Sequence, residues 1–226
     1  MRLADKKRKM VWQNHHFLLV GVVGLVFMAS LIFSRSLRSR VPNPTKCHGV
    51  GRIIVEGQLQ GPLASEYITM DELKGSIVLM HFWGLWCPPC LRELPLIASL
   101  RSEFRQWTDV RILNVVCGLP GTTPLSREDL RKRAKKFLAS RGIDLPVYTD
   151  RTHTMRRNVA MTLGKGMHLG TYPTTLLLDR QGVIRAVWIG YHADNKSQMK
   201  AQISRLLNPV EGNVGKLPAK VQVYDL

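Results

Sequence analysis

From Val11 to Ser34 the chain carries no Asp, Glu, Lys or Arg, and the part from Phe17 to Phe33, "FLLVGVVGLVFMASLIF", is apolar almost throughout. As a helix, this charge-free stretch would span about 36 Å, enough to cross a bilayer. Lys6, Lys7, Arg8 and Lys9 precede it, and Arg35, Arg38 and Arg40 follow it. The N-terminal cluster favours a cytoplasmic N-terminus, and the following arginines weaken that bias. A cleaved signal peptide is the rival reading, but it needs small residues at a cleavage site, and "MASLIFSRS" offers a poor one. The pattern therefore predicts an uncleaved anchor, with the rest of the chain outside the cytoplasm.

The remaining pattern alternates between strand and helix periods. "VPNPTKCHGV" has two prolines and no period, and reads as a linker. "RIIVEGQL" and "YITMDELKG" read as short strands with a turn. "SIVLMHFWG" (Ser76 to Gly84) is a near-continuous apolar run, as a strand buried on both faces requires. A helix is predicted from about Pro88, with Leu91, Leu94, Ile97 and Leu100 forming one apolar stripe flanked by Leu96 and Phe104. "DVRILNVVC" (Asp109 to Cys117) is a second buried strand. Ser126 caps a basic helix, "REDLRKRAKKFLASRG", that stops at Gly142. "LPVYTD" reads as a strand and "THTMRRNVAMTLG" as a helix. "TTLLLDRQGVIRAVWIG" is a hairpin turning at Arg180-Gln181-Gly182, and "NKSQMKAQISRLL" is a last amphipathic helix.

This alternation predicts an α/β fold, a single sheet with helices on both faces. The chain divides into a basic tail (1–10), a transmembrane anchor (11–34), a linker (35–51), a folded domain (52–207) and a loosely held C-terminal tail (208–226).

Composition changes this picture only slightly. A hydrophobic content of 45% in 226 residues suits a globular core. The net charge is +17, of which residues 1–40 supply +7 (eight Lys/Arg less Asp5), leaving +10 for the rest. A basic surface favours acidic partners or anionic lipid. No aromatic residues are interleaved with the bases and no groove-reading motif is present, so nothing points to nucleic acid.

Four cysteines are too few for a disulfide scaffold, and only Cys87 and Cys90 are closely paired. A strand leads into this pair and a helix leads out. Cys87 then sits at a helix N-terminus, where the dipole and free N–H groups favour the thiolate. Pro88 and Pro89 suit the first helical positions. Cys90 lies on the same face, within bridging distance. Cys87 is expected to be exposed and to attack, with Cys90 more buried and resolving the mixed disulfide. A zinc site would need a second ligand pair, which Cys47 and Cys117 do not form. An inert disulfide across so short a loop would stabilise little. The pair therefore reads as redox-active, with no metal and no cofactor required.

"FWGLWCPPCLRELP" resembles the active-site segment of the thioredoxin superfamily, and within it the TlpA/ResA-like membrane-anchored thiol–disulfide oxidoreductases. "DELKGSIVLMHFW" upstream matches the same branch, and "TYPTTLLLDRQGVI" resembles its cis-proline strand and following hairpin. The resemblance covers about Arg52 to Leu207. It implies a thioredoxin-like fold, a central mixed sheet flanked by helices, with an inserted segment at about Gly118–Gly170.

It also implies that Pro173 is the cis-proline and that the preceding residue, Tyr172, touches substrate. Relatives usually place Gly two residues before that proline, whereas here Gly170 is three before. Trp86 flanks the attacking thiol and is expected to shield it and contact substrate. Glu93 matches the acidic position of the family's C-x-x-C-x-x-E-x-P pattern and could take up or relay the Cys90 proton. The plainer reading of Glu93 is a first-turn acid that suits the helix dipole. His81, six before Cys87, is a candidate proton acceptor near neutral pH, or else a satisfied core histidine. Pairing of Cys47 with Cys117 is left open.

For function, the resemblance implies a reductase of protein disulfides, fed by a membrane thiol donor. Apocytochrome c is its best-supported substrate class, and residues 11–34 are expected to contact lipid. The alternatives are a thiol oxidase or isomerase on the same fold, or a non-catalytic binding or assembly module.

Overall fold

The computed structural model describes residues 28, 43–47, 49–63, 65–119, 125–150, 154–164 and 171–208. The expected anchor (apart from Met28), Gly170 and the tail from 209 lie outside them. Among the described residues no helix is long and apolar enough to cross a membrane.

The central element is β3 (Ile77–Trp83), buried at all seven positions, so both faces of the sheet are covered there. It pairs in parallel with β4 (Val110–Val116) and antiparallel with β6 (Thr174–Leu178). The β6–β7 hairpin (β7, Ile184–Ile189) turns through Gly182, whose φ of 77° favours glycine. With β1 (Gln58–Gln60), β2 (Tyr67–Thr69) and β5 (Tyr148–Thr149), the described strands form one mixed sheet in the order β2-β1-β5-β4-β3-β6-β7.

Among the described residues four helices pack on the sheet. The first, α1 (Pro88–Glu103), follows β3 and buries Leu94, Ile97 and Leu100 along the stripe set by the sequence. Next comes α2 (Arg127–Ser140), which begins as expected, with Ser126 Oγ accepting the Asp129 N–H at 3.1 Å. The third is α3 (Thr154–Leu163), and α4 (Asn195–Leu207) packs against α1, β3 and β6. The inserted segment thus contributes α2, α3 and β5, the last of which extends the sheet. This is the thioredoxin-like architecture that the motifs imply.

One segment differs from expectation. The described residues just before Arg52 are packed on the domain rather than strung out as a linker. Pro44–Lys46 form a 3₁₀ turn that buries Pro44 and is capped by the Asn43 side chain, and Cys47 Sγ lies 3.6 Å from the Val187 carbonyl. Gly51 donates its N–H to Ile184 O, and Ile184 returns its own to Arg52 O, both at 2.8 Å. The physical reason is that β7 is an edge strand. Its outward N–H and C=O groups need partners, and this segment supplies them.

Candidate active site

The sequence places Cys87 where β3 ends and α1 begins, and the structure keeps it there as the helix N-cap. Pro88 and Pro89 occupy the first two helical positions, where a missing N–H costs no intrahelical bond. Cys87 and Cys90 are joined in a disulfide, with Sγ–Sγ 2.09 Å and Cα–Cα 5.3 Å. The Cys90 backbone N–H points at Cys87 Sγ, 3.3 Å away. In the reduced protein that donor and the helix dipole favour a thiolate on Cys87.

Cys87 is not exposed as expected. Only 4% of its surface is accessible, against 0% for Cys90. In the closed disulfide its sulfur is tied to a fully buried one, and the exposed face of the turn falls to Pro88. Trp86 folds back over Gly84 and donates its indole N–H to the Cys117 carbonyl at 3.3 Å. A Cβ at Gly84 would sit 2.5 Å from the indole nitrogen. Gly84→Ala is therefore expected to displace Trp86 and cost about 1–3 kcal/mol of stability, read as a lower denaturant midpoint.

The Tyr172–Pro173 bond is cis, as the resemblance implies. The ring of Tyr172 meets that of Trp86 edge-on at 5.0 Å, so the residue before the proline touches the residue before Cys87. Tyr172 is not free to reach far into a groove, however. Its hydroxyl is bound by Arg156 of α3 and 8% of its surface is accessible. Burial first, and then the neighbouring Cys117, hold the Tyr172 hydroxyl well above the usual phenol range. The Cys117 thiol rises to about 12 through burial, which makes it an inert hydrophobe rather than a third redox thiol. Cys47 and Cys117 are both free. Cys47 lies at β7 and Cys117 follows β4, and three strand spacings, about 14 Å, separate those strands. No bridge can form across that gap.

Glu93 is not a first-turn acid. It lies beyond the first turn and is 1% exposed. Asn195 Nδ2 donates to its Oε1 at 2.7 Å, and His81 Nδ1 lies 3.5 Å from its Oε2. Burial pushes the Glu93 carboxyl up to about 7, while the Asn195 N–H, which favours the ionised form, pulls it back. This puts a titrating carboxyl one helical turn beyond Cys90.

His81 does not serve as a proton acceptor near neutral pH. Full burial lowers its pKa to about 3, so the ring stays neutral. Its Nδ1 lies 2.9 Å from Thr175 Oγ1. Asn114, His81 and Thr175 stand in register across β4, β3 and β6, forming a buried polar row inside an apolar sheet. Sequence reasoning found His81 and Glu93 but missed Asn195, Thr175, Asn114 and Arg156. Asn195 read only as the first polar residue of an amphipathic helix, 102 residues from Glu93. Among the described residues no three of His, Cys, Asp or Glu converge as metal ligands.

Comparison with known proteins agrees with this chemistry. The family model "AhpC/TSA family" matches residues 50–187. The chain is 28% identical over 205 residues to thiol-disulfide oxidoreductase ResA of Halalkalibacterium halodurans, covering 90% of this chain and 98% of that one. It is 26% identical over 156 residues to thioredoxin-like protein YneN of Bacillus subtilis, covering 66% and 81%. In fold it matches a thiol:disulfide interchange protein of the thioredoxin family from Chlorobium tepidum, with a TM-score of 0.52, 18% identity, and coverage of 73% and 97%. The exposed lipoprotein thioredoxin Etrx1 of Streptococcus pneumoniae matches with a TM-score of 0.51, 22% identity, and coverage of 67% and 99%. The chain belongs to the AhpC/TSA family, and it is a thioredoxin-like protein of the thiol–disulfide oxidoreductase type.

Proposed function

We propose that this protein is a membrane-anchored reductant of disulfides in proteins outside the cytoplasm, with apocytochrome c as its substrate class. The observation that carries the reading is the Cys87–Cys90 pair at the start of α1, with the Cys90 amide on the Cys87 sulfur. The charge-free stretch 11–34 supports the anchor. The match to relatives named thiol-disulfide oxidoreductase ResA supports the exchange chemistry.

The cycle starts from the dithiol. Cys87 thiolate attacks a substrate disulfide, forming a mixed disulfide and releasing one substrate thiolate. Cys90 then gives its proton to Glu93, and its sulfur attacks Cys87. The bond from Cys87 to substrate breaks, and the second substrate sulfur leaves. The substrate has gained two electrons and the protein holds the Cys87–Cys90 disulfide. A thiol donor in the membrane resets it by the reverse exchange. Trp86, Tyr172 and Pro173 line the approach to Cys87 and contact the substrate chain.

The substrate class is tested with a peptide carrying a disulfide-closed C-x-x-C-H haem-attachment motif. Reduced full-length protein should reduce it at least about tenfold faster than an unrelated intramolecular disulfide, a ratio worth about one factor of ten in transition-state binding. Equal rates on both would remove apocytochrome c as the preferred substrate.

A further inference from the structure

The Asn195 side chain joins two parts of the site that are far apart in sequence. Its amide nitrogen has two hydrogens, and both are used. One goes to Glu93 Oε1 at 2.7 Å and the other to the Gly190 carbonyl at 3.0 Å. The Gly190 N–H in turn donates to the Pro173 carbonyl at 2.8 Å. A continuous path of hydrogen bonds thus runs from the cis-proline, through the turn after β7, to the carboxyl on the redox helix. Asn195 is 1% exposed, so water cannot substitute freely for its contacts. With Oε1 taken, the second carboxyl oxygen, Oε2, is the one facing His81 and has no hydrogen-bond partner among the described residues.

We propose that Asn195 is a positioning residue for the exchange reaction, holding Glu93 by Oε1 so that Oε2 is the oxygen that receives the Cys90 proton. This rests on the reading of Glu93 as the proton acceptor for Cys90. In the resolving step the Cys90 S–H bond breaks, its proton goes to Oε2, and its sulfur bonds to Cys87 as the substrate sulfur leaves. The Asn195 N–H strengthens its hold on Oε1 when the carboxyl is ionised, so it keeps Glu93 able to accept.

The groups facing Glu93 are few. From β3 comes His81, which stays neutral, and β6 brings the uncharged Thr175 to that histidine. From α4 comes Asn195 itself, and on its own helix Cys90 stands one turn before. No charged side chain contributes to the Glu93 shift, whose causes are burial and Asn195. In the reduced protein the Cys87 and Cys90 thiols titrate as well, so the inflection belonging to Glu93 is identified as the one that Glu93→Gln removes.

The test is the pH profile of disulfide reduction by the reduced full-length chain, in the native protein and in Asn195→Leu, Asn195→Asp and Glu93→Gln. Asn195→Leu fills a similar volume without the donor. The inflection belonging to Glu93 should move up by about one pH unit, as loss of one hydrogen bond to a charged group implies. Asn195→Asp keeps the shape and places a second carboxyl beside the first, so the inflection should move up further. If Asn195→Leu does not fold, Asn195→Asp decides alone. A uniform fall in rate with the inflection unmoved would make Asn195 merely structural and overturn the proposal. Glu93→Gln should abolish the inflection. The inflection of the Cys87 thiol remains in that variant, whereas a Glu93→Gln profile with the same inflections as the native one would remove the Glu93 reading itself, and this inference with it.

Discussion

Replacing Cys87 with serine abolishes disulfide exchange, with a loss on the order of 10³-fold or more, because no other accessible thiolate can begin the reaction. Cys117 cannot take over, since burial drives its thiol up to about 12. Cys47 cannot either, since burial raises its thiol as well and its sulfur lies at the β7 edge, away from the helix N-terminus. Cys90 is fully buried and sits inside the helix, where it lacks the N-cap position that favours the thiolate. Cys90→Ser should behave differently. The first attack proceeds, but nothing resolves it, and a mixed disulfide on Cys87 accumulates. Non-reducing electrophoresis with mass spectrometry reads both outcomes. Retention of exchange activity in Cys87→Ser would sink the assignment of the nucleophile. A chain that never shows exchange but still binds its partners would be a binding module rather than an enzyme.

Glu93→Gln is expected to slow reduction by about 10²-fold at neutral pH, the usual scale for losing a proton-transfer group, and at the same time to stabilise the fold above pH 7. The sign follows from proton counting. Burial raises the folded Glu93 from 4.5 to about 7. Between those values the unfolded chain gives up the proton that the folded chain keeps, so native stability falls as pH rises through this window. The shift corresponds to about 3 kcal/mol for a buried carboxyl that must finally ionise. Glutamine carries no such cost and can still accept the Asn195 N–H. His81 acts in the opposite direction. Its folded pKa is lowered from 6.5 to about 3, so its stability is present above 6.5 and is lost as pH falls toward 3. Between about 4.5 and 6.5 the two slopes oppose each other in the native protein. In Glu93→Gln only the histidine slope remains, so stability should climb with pH where the native protein is nearly flat. Urea melts across pH 4 to 8 read this directly. An unchanged stability profile would mean that Glu93 is not buried as a titrating acid.

The redox pair was legible because its signals are local, whereas the cis-proline was legible only through the resemblance of "TYPTTLLLDRQGVI" to a known family. Two prolines at the first helical positions, a strand before and a helix after fix where Cys87 must lie, whatever the rest of the chain does. The state of Glu93 was only half legible. Cys90, Glu93, Ile97 and Leu100 recur at helical spacing, so periodicity puts the acid on the buried stripe. Reading Glu93 as a first-turn acid that merely suits the helix dipole fails because it lies beyond the first turn and Asn195, 102 residues away, meets its carboxyl. Of the two readings of His81, the structure favours the core histidine, and sequence could not choose between them for a related reason. A histidine's role depends on how dry its site is, and dryness is set by α1 and α4 closing over β3. The burial of Cys87 depends on the closed disulfide and on its immediate neighbours. The packing of residues 43–47 and 49–51 on β7 was hidden because edge-strand pairing leaves no period in so short a segment.

The most direct test of the central claim, that this protein is a reductase, is the reduction potential of the Cys87–Cys90 pair in the full-length chain. It is measured by equilibration in dithiothreitol or glutathione buffers, with tryptophan fluorescence as the readout, since Trp86 adjoins Cys87. A potential below about −230 mV, on the thioredoxin side of the known range, is the predicted result. A potential of about −120 to −180 mV would contradict it, and would make the protein an oxidase or isomerase with no role in reducing apocytochrome c.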